Sequence, residues 1–197
     1  ARGDTSVVLT IGTGVTITGS EANCTALLTD ETNNQIVIDN QAITVDTGTI
    51  SVDNANLLTD TTTGKVTATI ATTETVTELA TLTPDGGTND LTIVIRADDA
   101  TACTAAQLNT INAATALAVN LTNVTALAAS SLADLETLAT AITNNEFTNA
   151  TGLTTIAVSD TTIDATALAA RIDSYDTISG GSTTNMTLAS GATIEVT

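Results

Sequence analysis

A chain of 197 residues with 22 acidic against four basic side chains carries a formal net charge of −18, and it contains no histidine, no tryptophan and two aromatic residues, Phe147 and Tyr175. Without histidine there is no Ser-His-Asp or Cys-His arrangement and no side chain with an unperturbed pKa near neutrality, so catalysis loses most of its parts. The four cations, Arg2, Lys65, Arg96 and Arg171, are scattered and do not form the clustered positive surface that nucleic acid or an anionic membrane requires.

No apolar run approaches the ~18 residues that cross a bilayer, so no membrane insertion is expected. Met186 is the only methionine and the sequence opens on Ala1, which reads as the product of leader removal or as a piece of something longer. Thr, Ile and Val together fill 76 positions; they are stiff at χ1 and suited to a pleated surface. The expected fold class is therefore mainly β, with a β-solenoid-like or β-sandwich N-terminal half and strand-helix, solenoid-like coils in the C-terminal half. Its core must be thin, because only Ala, Val, Ile and Leu are plentiful enough to build it.

In chain order, short apolar runs broken by Gly, Asn, Asp and Thr predict strands at residues 6–11, 15–18, 35–39, 42–46, 49–52, 65–71, 75–83 and 91–96. Alternation is clearest in Val66-Thr67-Ala68-Thr69-Ile70, the period-two pattern of a half-buried strand. The only proline opens the turn signal Pro84-Asp85-Gly86-Gly87, which divides a β-rich region, 1–88, from a second region, 89–197. There, Thr104-Ala-Ala-Gln107 reads as a capping box opening a short helix with Leu108 and Ile111 on one face. Ser131 opens a longer helix with Asp134 and Glu136 in its first turn and Leu132, Leu135, Leu138 and Ile142 as its stripe. A third is predicted from about Asp164 through Leu168 and Ile172, and the region ends in a strand around Thr193-Ile-Glu-Val-Thr197.

A shift of 24 residues lays Ile95 on Val119, Cys103 on Leu127, Leu108 on Leu132 and Ile111 on Leu135, which suggests a degenerate strand-loop-helix repeat. Segments such as Leu153-Thr-Thr-Ile-Ala-Val-Ser-Asp-Thr-Thr-Ile-Asp-Ala and Leu121-Thr-Asn-Val-Thr-Ala-Leu-Ala-Ala-Ser-Ser-Leu-Ala-Asp-Leu resemble the Thr/Ala/Asp-rich repeats of large secreted bacterial surface proteins, of the adhesin, surface-layer and RTX-like kinds. The resemblance covers residues 89–197 and is one of style. It implies export, a repetitive β-rich scaffold, frequent dependence on calcium, and no catalysis.

Three sets of residues stand out. Asp85, Asn89 and Asp90, within Asp-Gly-Gly-Thr-Asn-Asp, resemble a calcium-binding nonapeptide with one residue missing. Cys24 and Cys103 are candidates for one long-range disulfide. Val7, Val8, Leu9, Ile11, Val15 and Ile17 make an assembly-prone N-terminal stretch, and with one Lys and one Pro in the chain its open edges lack the usual blocking residues. The expected function is a structural subunit of an extracellular filament, sheath or surface layer, a homopolymer joined through β-strand edges. The alternatives are an adhesin or calcium/glycan-binding module, and a phage fibre component or ice-binding protein. With 22 acidic residues repelling one another, assembly or stability is expected to rise with ionic strength or calcium.

Overall fold

The computed structural model describes residues 8–178 and 185–196. The chain runs through β1 (Leu9–Thr10), β2 (Thr16–Ser20), α1 (Glu21–Thr32), β3 (Ile36–Val37), β4 (Ala42–Thr47), α2 (Val52–Thr61), β5 (Val66–Thr69), α3 (Val76–Leu79) and β6 (Asp90–Thr92). It continues through α4 (Ala105–Asn112), β7 (Val119–Asn120), β8 (Ala126–Ser130), α5 (Leu132–Thr143), β9 (Phe147–Thr148), β10 (Thr155–Val158), β11 (Thr162–Asp164), α6 (Ala165–Ile178), β12 (Asn185–Thr187) and β13 (Thr193–Glu195). Two compact units result, one from Ala1–Ala71, Leu82–Thr92 and Ala114–Leu117, the other from Thr72–Thr81, Ile93–Ala113 and Ala118–Thr197.

The fold is α/β, which corrects the expected mainly-β class and its solenoid-like or sandwich halves. Every strand pair among the described residues is parallel, and the strands are distributed over five separate sheets. Parallel neighbours need a crossover, and helices supply most of them. The first unit holds the four-stranded sheet β2-β4-β5-β6 and the pair β1-β3; the second holds β8-β10-β12, β7-β9 and β11-β13. Within each unit the core is a ladder of aliphatic rungs: Ile17–Ile43–Val66 in the first, Leu127–Ile156–Met186 in the second. Ile43, Val66, Leu127 and Ile156 are buried, each contributing on the order of 1.5–3 kcal/mol.

Two helices in the first unit stand where composition favoured strands. The Ser20 hydroxyl accepts a hydrogen bond from the Asn23 N–H to open α1, and Ser51 does the same with Asn54 to open α2. The predicted strand at 49–52 is thus reduced to a bridge at Ile50 before Val52 starts a helix. Threonine is tolerated inside these helices because its hydroxyl can bond the carbonyl four residues back. Thr29, Thr32, Thr59 and Thr61 all do so. The predicted strand at 75–83 likewise contains α3, opened by a capping box in which the Thr75 N–H and hydroxyl hold the Glu78 carboxyl below its usual range. The predicted capping box at Thr104 opens α4 and Ser131 opens α5, whereas Ile172 on α6 is exposed.

Successive segments are joined by side chains that replace backbone ladder bonds. The Val66 N–H donates to Asn89 Oδ1 at 2.7 Å and the Leu91 N–H to Thr115 Oγ1 at 3.0 Å. Three further acceptors serve the first residues of helices: Asp99 Oδ2 takes the Val76 N–H at 2.7 Å, Ser130 Oγ that of Ala105 at 2.9 Å, and Asp160 Oδ2 that of Leu132 at 2.8 Å. A helix leaves its first amides without intrahelical partners. Here the cap residue satisfies the third amide, and a side chain 23, 25 or 28 residues further along satisfies the first.

Candidate functional site

The assembly candidates lie in or beside β1 and β2, each the end strand of its own sheet in the first unit. Val7 lies outside the described residues. Val8 and Leu9 are exposed, Leu9 by 59%; Ile11 is half-buried after β1, Val15 is exposed before β2, and Ile17 is half-buried within it. The buried Gln41 holds this stretch in place, since its Nε2 donates to the Ile11 and Gly12 carbonyls at 2.8 and 3.4 Å. Among the described residues β1 pairs only with β3, and β2 only with β4. The Leu9 and Ile11 N–H groups donate to the Gln35 and Val37 carbonyls, so the alternation of a parallel ladder turns the N–H and C=O of Thr10 away from β3.

A second set of edges lies in the second unit, on β12 and β13, where the N–H groups of Asn185 and Thr193 donate inward to Thr154 and Thr161. By the same alternation the backbone groups of Met186 and Ile194 face outward. Ile194 is 50% exposed and Val196 85%, and Leu188 is exposed beside them. Of the ten exposed large aliphatic residues among the described ones, seven lie on these two sets of edges, counting Val37 on β3. The final strand is readable from the sequence, but Val37 and Leu188 carry no periodic signal. Low charge is the feature that could have found Leu188, because residues 185–196 have only Glu195 and residues 8–20 have no charged side chain, whereas Val37 lies in neither run.

The three calcium candidates are committed to separate tasks. Both Asp85 carboxylate oxygens accept hydrogen bonds from their own turn, from the N–H groups of Gly87, Thr88 and Asn89 and the Thr88 hydroxyl. Asn89 is buried, with Oδ1 bonded to the Val66 N–H. Asp90 pairs with Lys65 Nζ at 2.7 Å. The turn therefore has a structural account in which its oxygens satisfy the protein itself, and among the described residues no group of three or more Asp, Glu, Cys or His side chains is placed to hold a metal ion.

Cys24 and Cys103 are free and buried, so the disulfide considered between them is not formed. The Cys24 thiol donates to the Gly19 carbonyl at 3.7 Å and the Cys103 thiol to the Asp99 carbonyl at 3.3 Å. Burial raises both pKa values, Cys103 to about 12, with Asp99 adding to the effect. Native protein at pH 8 will accordingly give almost no reaction with a thiol reagent, and both thiols will react after unfolding. Well below pH 9.0 the Cys103 thiol is neutral in both states, and as pH rises toward about 12 only the unfolded thiol ionises, so stability falls across that window. Urea midpoints of the wild type and Cys103→Ala compared at pH 8 and pH 10.5 measure it: the wild type loses more of its midpoint.

One polar hollow of about 390 Å³ involves α4 and α5 and is lined in part by Asn109, Asn112, Glu136, Asn144 and Glu146. The Glu146 carboxylate accepts from the amides of Asn112 and Asn144. Asn109 Nδ2 donates to the Asp134 carbonyl, while its Oδ1 is buried without a partner. Sequence reasoning did not find this hollow, because its residues come from two separate segments, 109–112 and 136–146, and form no motif. Compared with known proteins, the chain matches no family model, no curated protein and no solved structure.

Proposed function

We propose that this chain is a structural subunit of an extracellular filament, sheath or surface layer, assembling with further copies through the edges of its parallel sheets. The observation that carries this reading is the coincidence of exposed aliphatic side chains with strand edges that are nearly free of charge, in a chain of formal charge −18. Apolar surface gathered in patches marks interaction sites, and an unblocked edge strand is a template for another chain. Extracellular placement rests on the threonine-rich, acidic composition and on its resemblance to secreted surface repeats.

A second reading, a calcium- or glycan-binding module, draws on the polar hollow and its unpartnered Asn109 Oδ1. Sedimentation and negative-stain microscopy of the wild type across a salt and calcium series separate the two. Assembly through these edges predicts polymers whose mass grows as salt screens repulsion. Monomers at every salt and protein concentration, with calorimetric uptake of calcium or sugar abolished by Asn109→Leu, would replace the first reading with the second.

A further inference from the structure

We infer that the assembly is polar: the β12/β13 edge of one copy docks against the β1/β2 edge of the next, in a heterologous, parallel contact. This rests on the assembly reading above and adds which edge meets which. All strand pairs among the described residues are parallel. A copy that presents β2 to another copy's β12 continues that rule with the aliphatic faces on the same side. A two-fold contact of an edge with itself does not, because a two-fold axis either reverses the strand direction or turns the sheet over.

Charge favours the same arrangement. The β13 edge carries Glu195, whereas residues 8–20 carry no charge. Self-docking of β13 brings two Glu195 side chains near each other, and like charges across a strand pair are destabilising. Docking on the β1/β2 edge places Glu195 beside uncharged threonines and aliphatic residues. Among the described residues each edge also ends its unit's aliphatic ladder at a rung paired on one side: Leu9 and Ile17 on one edge, Met186 and Ile194 on the other.

Two doubly substituted proteins test the pairing, with all four changes at exposed positions: Leu9→Lys with Val15→Lys on the first edge, and Ile194→Lys with Val196→Lys on the second. Circular dichroism establishes that each is folded, and sedimentation velocity reads the mass. The heterologous contact predicts monomers for each variant alone and a doubling of mass, to a one-to-one dimer, when the two are mixed, because each supplies the edge the other lacks. Dimers formed by either variant alone would overturn the polar contact while leaving edge assembly standing. A mixture that stays monomeric while the wild type polymerises would also overturn it. A wild type that is monomeric throughout would remove the assembly reading and this inference together.

Discussion

Gly64→Ala will destabilise the first unit by about 3 kcal/mol, the scale of a forced overpacking that its surroundings cannot absorb. A Cβ at this position would lie 2.5 Å from the backbone C and O of Gln41 and 2.7 Å from the Asn40 carbonyl oxygen. Those atoms have little freedom to move. The Thr62 hydroxyl donates to the Gln41 carbonyl at 2.7 Å and accepts from the Gly64 N–H at 2.9 Å, and the Gln41 side chain is buried and bonded to the Ile11 carbonyl and the Asp39 N–H. The change therefore disturbs both the β4–β5 junction and the anchor of β1. Gly12→Ala is the control: its Cβ meets nothing within 4 Å, so the urea midpoint will stay near that of the wild type. Equal midpoints for the two variants would refute the close approach.

Asp99→Ala will cost the second unit a similar amount, about 3 kcal/mol, the scale expected when a buried carboxylate that takes charge-assisted hydrogen bonds is removed. Asp99 is a buried carboxylate with three donors: the Val76 N–H at 2.7 Å, Arg96 Nε at 3.0 Å and an Arg96 terminal nitrogen at 3.4 Å. Removing it leaves the first amide of α3 without its acceptor and Arg96 without its carboxylate, although Arg96 keeps a bond to the Thr73 carbonyl. Asp99→Asn retains an oxygen for the amide and loses the charge, so roughly half the penalty should remain. Hydrogen exchange at Val76 provides the local reading. Its protection will drop strongly in the alanine variant and partly in the asparagine variant; unchanged protection in both would show that the contact does not hold the helix start.

The later helices were legible because their signals are local: Thr104 with Gln107, and Ser131 followed by Leu135 and Leu138, specify caps and buried faces within a few residues. The strands around Val66 and Ala42 were legible for the same reason. What misled the fold class was threonine. Counted as a β-branched residue it argues for strands, but in α1 and α2 its hydroxyl turns back on the helix, and Ser-x-x-Asn caps lack the glutamate or glutamine that makes a capping box visible. The edges were half legible, since the run from Val8 to Ile17 is apolar enough to notice, whereas Val37 and Leu188 become conspicuous only once the neighbouring strands are placed. The polar hollow and the acceptors at Asp99, Ser130 and Asp160 depend on partners more than twenty residues away, beyond the reach of any short-window pattern.

Those distant acceptors also impose an order on biosynthesis. A polypeptide emerging N-terminus first can form most of α3, α4 and α5 as soon as their own residues are free, yet the opening amide of each must wait for Asp99, Ser130 or Asp160 to leave the ribosome. At ~5–20 residues per second that delay is on the order of seconds. Each of these three helices is thus finished by residues translated after it, and a chain stalled or truncated before its acceptor would leave that helix frayed at the start.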